Sequence, residues 1–522
     1  MRFRIEMQDG FARTGKIEEV KTPHLIDLRN SQEVEFFKDI SERKIPDTAE
    51  RLFPEAPEIF KKEGVVKKTI LKGTYPKEFV KLLIGKRDDF RYPRYIPSIA
   101  TPQNLSLLLY VGADVVDNAS ALSKAHEGIY LTEVGEFVLQ GLRELPCSCP
   151  ACLSRDCYRS EYDFLADHNT HAIERELALA VKMLESGRLR ELVEVRVKSD
   201  PQLTSILRLI DNEVKGSAFF PRFRRSVMFP TSEDSANRPE VEYYFKKLVE
   251  SYAPASHICL LIPCSARKPY MTSKSHRTLR LKLGKAVRGV NEIIISSPFI
   301  SPRELELIYP ISFYDTPTTG VWSEWEIEFV ASKLSTLLER FERVYAHLHG
   351  GYREVAERAS RIAGVDVEFV DDIGELKRKL ENEEKRDFDL YHEMFRHMMR
   401  YQFDMEFEID RIKGRYPNLE FFKGERVARV DTRYGNLDVY GELAIHLKEN
   451  RIFSVEIEEF DVKGTIFSVG VRRASENIRP NDVVVYHNSN TVGVGRALIP
   501  GELMGDVDGK AIESRRKVIS KN

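Results

Sequence analysis

HICLLIPCSARKPYMTSKSH, residues 257–276, joins the apolar run 257–262 to fourteen residues that hold a thiol, three cations, a phenol, a histidine and four hydroxyls. A short apolar run that stops at a polar, Pro-bounded segment reads as a buried strand ending in a functional loop. The motif recurs. Strand-like runs at 292–296, 343–347 and 365–370 alternate with helical stretches at 275–287, 324–341 and 352–362. Such alternation predicts a parallel α/β sheet, and ligands bind such sheets outside the carboxyl ends of their strands. Three polar loops should then share one rim: the segment quoted, Ser296–Glu304 and His347–Gly351. Ser265, Ser297, Pro298, His347 and His349, together with Asp315, are candidate substrate-binding residues. A strand, a polar turn and a helix N-cap at Ser275 would explain single residues of the quoted stretch but not the set.

A chain of 522 residues exceeds what one core supports, and composition divides it into four domains. These are 1–205, 240–385 (the α/β core), 386–448 (a small α+β unit) and 449–522 (short strands rich in Gly and Asn). Between them, 206–240 turns basic and irregular. Phe219–Arg225 interleaves aromatics with cations, as RNA contacts do and as a linker clamped to a domain also does, and Pro230–Pro239 reads as linker. Lys plus Arg (80) nearly balance Asp plus Glu (82), so any polyanion must be held by local patches. The N-terminal residues carry no apolar signal core, and no eighteen apolar residues run together. A cytosolic protein without membrane contact is expected. The helix-like charge run 376–386 reads as a solvated face, and the Met and Phe stripe of 391–399 as core.

Four of the six cysteines crowd into Cys147-Ser-Cys149-Pro-Ala-Cys152-Leu-Ser-Arg-Asp-Cys157. Without a secretion signal, such crowding indicates a metal site before disulfides. Cys147, Cys149 and Cys152 with one histidine of Asp167-His168-Asn-Thr-His171 make a tetrahedral zinc set, closed and therefore structural. Cys157 is the spare thiol.

Pro146–Cys152 with Asp167–Asn169 resembles the zinc site of tRNA-guanine transglycosylases, which makes His168 the fourth ligand. Tyr110–Ser120 and Glu127–Glu133 resemble the segment carrying that family's nucleophilic aspartate, here Asp117. The second catalytic aspartate's Asp-Ser-Gly element is missing from the first 146 residues. A (β/α)8 barrel takes about 250 residues, so the resemblance implies an incomplete TIM-barrel-like domain. The quoted stretch resembles archaeosine synthases in the pattern P-C-x3-K-P-Y-x2-S-x2-H, as Pro263, Cys264, Lys268, Pro269, Tyr270, Ser273 and His276. Pro302–Glu306, Tyr309–Pro310, Tyr314–Asp315 and Thr319–Trp322 resemble further segments of that family. Ile478–Asp482, Val492–Arg496 and Asp508–Ala511 resemble a PUA domain, a small RNA-binding β-barrel. Its charges cluster at Arg472, Arg473, Arg479, Arg496, Lys510, Arg515, Arg516 and Lys517, as phosphate binding requires.

The resemblance implies the following chemistry. A tRNA carrying 7-cyano-7-deazaguanine in its D loop, at position 15, receives L-lysine across the nitrile, and a radical-SAM beta subunit converts the adduct to archaeosine. Lys268 or Tyr270 would polarise or protonate the nitrile, and His276 would act as base. Ser273 belongs to the same catalytic set, and Cys264 either forms a thioimidate or shapes the pocket. Structural zinc is the one cofactor expected, with no nucleotide cofactor, and a homo-oligomer is compatible with the sequence. The alternatives are a base-exchanging transglycosylase and a non-catalytic tRNA-binding subunit.

Overall fold

The computed structural model describes residues 3–38, 66–67, 77, 80–81, 84, 90–317 and 320–520. Thr319 of the segment Thr319–Trp322 lies outside the described residues. The chain divides into two compact units: 1–221 with 455–484 and 495–515, and 222–454 with 485–494 and 516–522. No described helix is long and apolar enough to cross a membrane.

In the first unit, four parallel strands lie in the order His24–Ile26, Val115–Asp117, Arg94–Ile96, Val66–Lys67. Val115–Asp117 is buried on both faces, as expected for a strand covered by helices. The buried pair Arg13–Asp114, at 2.6 Å with both side chains fully enclosed, ties the strand Ala12–Ile17 to this sheet. Asp114 also accepts the Arg94 backbone N–H at 2.7 Å. The helix Glu161–Glu185 begins at Ser160, whose hydroxyl accepts the Asp163 N–H, and it buries Phe164, Leu165, His168, Ile173 and Leu184 along one stripe.

Strands Ser454–Ile457, Thr465–Phe467, Val471–Ala474, Val483–His487, Thr491–Ala497 and Asp508–Ser520 belong to one sheet, a β-rich C-terminal region. The strand Phe3–Asp9 joins it in parallel with Asp508–Ser520, pairing Arg4 with Asp508 and Ile5 with Gly509. Gly509 has φ +147°, and a Cβ there would lie 2.3 Å from the Ile5 carbonyl oxygen. Only glycine lets the two backbones approach this closely.

The second unit contains the expected parallel sheet, in the order Ile300–Pro302, Asn291–Ile295, Ile258–Pro263, Arg343–Ala346, Glu368–Phe369. All neighbours are parallel except the edge strand Ile300–Pro302, which runs antiparallel and was not anticipated. Helices Lys274–Leu283, Glu324–Leu338, Gly351–Ala363 and Ile373–Asn382 intervene. The four-stranded antiparallel sheet Arg411–Arg415, Asn418–Lys423, Glu425–Asp431, Asn436–Val439 accompanies the helix Leu390–Phe403. That helix buries Met394, Phe395, Met398 and Met399, so its apolar stripe is core.

Of the two alternatives for Phe219–Arg225, the segment clamped to a domain is the one seen, and Pro230–Pro239 contains the helical turn Glu233–Asn237. Pro201–Glu213 is helical, Phe219 and Phe220 pack against Phe11, and Arg222 and Arg224 are buried. Arg222 donates to the Tyr243 hydroxyl at 2.6 Å and Arg224 pairs with Glu240 at 2.6 Å. Arg222 and Arg224 are therefore engaged by the next helix, Pro239–Ser251, one through a hydroxyl and the other through an ion pair, while Arg225 is exposed.

Candidate functional site

The strand Ile258–Pro263 is apolar and buried up to Ile262, and the loop after it opens at Cys264. The Cys264 N–H donates to the Ile295 carbonyl at 2.9 Å, continuing the sheet register one residue past the strand. Its thiol is half-buried and stands 3.3 Å from the Tyr352 hydroxyl. Tyr352 packs edge-on to Trp322, ring centroids 5.0 Å apart. A Cβ on Gly351 would fall 2.6 Å from the Trp322 ring, so glycine is what admits the indole here.

Lys268 reaches back over the same rim, its ammonium 4.0 Å from the Tyr314 ring centroid. Burial pulls that ammonium below its ordinary pKa, against the opposing attraction of Cys264 and Asp315. Beneath it runs a hydroxyl chain. Tyr270 donates to Tyr314, and Tyr314 donates to Ser296 Oγ at 2.6 Å. Tyr270 is 1% exposed and burial raises its pKa, so it orders Tyr314 rather than meeting a ligand directly.

Two recesses flank Cys264. One, of about 550 Å³, is mostly apolar and is lined by Ile262, Pro263, Leu279, His347 and Ile373. The other, a small recess bounded by Ser296, Ser297, Trp322, Tyr352 and Glu326, shares Ser297 and Glu326 with a polar one of about 270 Å³. Ser297 and Pro298 line the latter, and Ser297 donates to Glu326 at 2.6 Å. His347 is half-buried and donates to the Val370 carbonyl at 3.0 Å. Ser265 is half-buried, whereas Asp315 and His349 are exposed, His349 lying 3.7 Å from Asp371.

Two catalytic candidates have other duties. Ser273 is buried and caps the helix Lys274–Leu283 by accepting the His276 N–H at 3.3 Å, so the cap is Ser273 and not Ser275. His276 is 4% exposed. Its Nε2–H donates to the Pro263 carbonyl at 3.1 Å and its Nδ1 accepts from Arg303 at 2.8 Å, so neither nitrogen has a lone pair to offer as a base. Burial, then Arg303, lowers its pKa to about 4. Trp322, Tyr352, Glu326 and Arg303 had no assigned role from sequence; the first and last lay within family-like segments, and nothing marked the other two.

In the first unit, Cys147, Cys149, Cys152 and His168 bring their ligand atoms within 4.8 Å of one another. His168 donates Nε2–H to the Leu131 carbonyl at 3.0 Å, which leaves Nδ1 facing Cys149 and Cys152 at 3.4 and 3.3 Å. Tyr130 stacks on the imidazole at 3.6 Å and meets Cys152. The cluster could hold a metal such as zinc. Cys157 is exposed and outside it, and His171 pairs with Glu174 instead. Asp117 is fully buried, its carboxylate taking the N–H groups of Ser98 and Ala119 and the Tyr95 hydroxyl.

Of the RNA-binding candidates, Arg472, Arg473 and Lys510 are exposed and Arg515 is half-buried. Two are corrected. Arg496 is 1% exposed and donates to the Asn481 carbonyl, and Arg516 makes a forked pair with Asp438 at 2.6 and 3.0 Å. The edge strand Arg411–Arg415 carries exposed Arg411, Lys413 and Arg415, which were not singled out from sequence.

Residues 79–202 match a family model described as queuine tRNA-ribosyltransferase, 241–382 a domain of unknown function, 388–448 a pre-PUA domain and 456–518 a PUA domain. The chain is 35% identical to an archaeosine synthase subunit alpha of Methanosarcina acetivorans, over 78% of this chain and 72% of that one. It is 34% identical to an archaeosine synthase of Haloferax volcanii, over 80% and 76%. A tRNA-guanine(15) transglycosylase of Methanobrevibacter smithii is 29% identical over 49% of this chain and 40% of its own. A crystal structure of a protein of unknown function aligns at 45% identity with a TM-score of 0.47, covering 53% of this chain and 99% of its own. With a Cys-Lys cleft, a Cys3His cluster and a PUA region on one polypeptide, and relatives of this similarity, the chain belongs to the archaeosine synthase family of tRNA-modifying enzymes.

Proposed function

We propose that the chain adds L-lysine to the nitrile of 7-cyano-7-deazaguanine at position 15 in the D loop of tRNA, and that the reaction takes place in the Cys264 cleft. The observation that carries this reading is a half-buried thiol sharing a strand end with a lysine whose ammonium is drawn below its ordinary pKa. Nitrile addition needs attack at carbon and a proton at nitrogen. Lys268 lies on the same loop as Cys264 and supplies the proton. The thiolate attacks the nitrile carbon while Lys268 gives a proton to the nitrile nitrogen, forming a thioimidate. A neutral amine of the donor then attacks the same carbon, its proton passes to Lys268, and the C–S bond breaks to return the thiolate and leave an amidine.

The relatives named subunit alpha support a second subunit, and a radical-SAM partner would convert the adduct. Arg472, Arg473, Lys510 and Arg515 would hold phosphates, with Arg411, Lys413 and Arg415 adding to them. Zinc would close the Cys3His cluster as a structural tie. The four parallel strands of the first unit support an incomplete barrel, and the enclosed carboxylate of Asp117 argues against base exchange. The test is to incubate purified protein with tRNA bearing the cyano base and labelled lysine. Label in the RNA is expected; tRNA binding without label would overturn the reading, and exchange of a labelled base would favour a transglycosylase.

A further inference from the structure

Behind the Cys264 loop lies an ionic cluster, buried at Arg303, Glu292 and Glu306 and part-exposed at Arg280, that the chemistry above leaves unused. Arg303, 1% exposed, donates to Glu292 at 2.6 Å through Nε and to Glu306 at 2.7 Å through Nη1. Glu292 also pairs with Arg280, and Glu306 accepts from the Tyr416 hydroxyl. The two arginines and two glutamates balance, so the cluster is self-neutral. Arg303 Nη2, which also pairs with Glu292 at 2.5 Å, reaches His276 Nδ1 at 2.8 Å, and the opposite nitrogen of that ring donates to the Pro263 carbonyl. An arginine can only donate and a carbonyl can only accept, which fixes the tautomer without further assumption. The Pro263–Cys264 peptide is thereby gripped on both edges: its oxygen by His276, its N–H by the Ile295 carbonyl.

We propose that His276 and Arg303 are positioning residues for the reaction at Cys264, transmitting the rigidity of the Glu292–Arg303–Glu306 cluster to the one peptide unit that aims the thiol. The inference rests on the reading of the Cys264 cleft given above. A long, doubly hydrogen-bonded side chain locked by a buried guanidinium is what keeps a reacting group within the sub-ångström tolerance that catalysis needs.

The test compares His276→Gln, whose amide reaches the Pro263 carbonyl, with His276→Leu, which cannot donate, and with Arg303→Lys. Steady-state kcat and KM for tRNA are measured alongside the iodoacetamide alkylation rate of Cys264, resolved by mass spectrometry, in the intact protein. Positioning predicts that His276→Leu loses kcat by about a hundredfold, the scale of a misplaced reacting group. KM should change less than twofold and alkylation about tenfold, while His276→Gln should recover most of both and Arg303→Lys fall between. Parent-like kcat and alkylation in His276→Leu would overturn the proposal. So would equal loss of kcat in Gln and Leu with parent-like alkylation, since that is the mark of a base. The alkylation arm reads Cys264 geometry even if the lysine-transfer assay is negative, so failure of the functional reading is seen separately.

Discussion

His168 and His276 are the same residue type in the same state, put to opposite uses. Each is buried, each is held neutral, and each passes its Nε2–H to a backbone carbonyl, Leu131 in one case and Pro263 in the other. What differs is the group at Nδ1. Around His168 it is a pair of thiols, so the ring becomes one corner of a ligand set. Around His276 it is a guanidinium, so the ring is saturated and the nearby cysteine is left to react with something else. A cysteine beside a histidine therefore specifies no chemistry until the partner of the second nitrogen is known.

The largest effect that tests this contrast is expected at the cluster. Cys149→Ala should take the metal content measured by plasma emission from about one ion per chain to near zero and lower the melting temperature, because ligand binding and local folding are coupled. Full metal and unchanged melting would remove His168's side of the comparison. Cys264→Ser and Lys268→Ala should instead cut lysine transfer by about a hundred- to ten-thousandfold, the span of a lost general acid or nucleophile, with melting and metal content as in the parent. A covalent adduct on Cys264 trapped in the parent would fix the thioimidate route; substantial activity in Cys264→Ser would limit the thiol to shaping the cleft.

A smaller effect concerns acid. The pKa of His276 is about 4 in the fold and about 6.5 when unfolded, so between those values the unfolded chain binds the extra proton. Stability falls as pH drops from about 6.5 towards 4, by at most about 1.4 kcal/mol per pH unit from this residue, and is unaffected by it above that window. Urea midpoints at pH 7 and pH 5 should therefore fall less in His276→Gln than in the parent. An equal fall in the two proteins would mean that the ring is charged or solvated in the fold.

The smallest changes extend the contrast to cations, between Arg516, paired with buried Asp438, and others on the C-terminal strands. Replacing Arg473, Lys510 and Arg515 together should reduce the slope of log affinity for tRNA against log salt, by about one unit for each phosphate that the variant no longer neutralises. Arg516→Ala should move that slope little and lower stability instead, since it strips a partner from fully buried Asp438. A flatter slope in Arg516→Ala would show that its pair with Asp438 opens to RNA.

The parallel strands of the core were readable because Ile258–Ile262 and Ile293–Ile295 are unbroken apolar runs, which have few alternatives to a doubly covered strand. The cluster was readable because three cysteines within six positions can converge on one point whatever surrounds them. The role of His276 was not, since Arg303 stands twenty-seven positions away and reaches it only after the sheet forms. Arg496 and Arg516 misled for a related reason: a local count of cations carries no trace of a buried carboxylate or carbonyl brought in from elsewhere. Ile300–Pro302 was missed because three residues are too few for any periodicity to show.

The pairing of Arg4 with Asp508 places two strands side by side that are about five hundred residues apart along the chain. On a ribosome adding 5–20 residues per second, the first strand waits roughly 25 to 100 s for its neighbour. During synthesis, the edge of Phe3–Asp9 that will face Asp508–Ser520 therefore has no native strand to pair with, which is a hazard for aggregation. The second unit, apart from its last few residues, can meanwhile assemble from sequence already made. Completion of the first unit is thus a late event in biogenesis, and any fragment ending before Asp508 leaves that edge open.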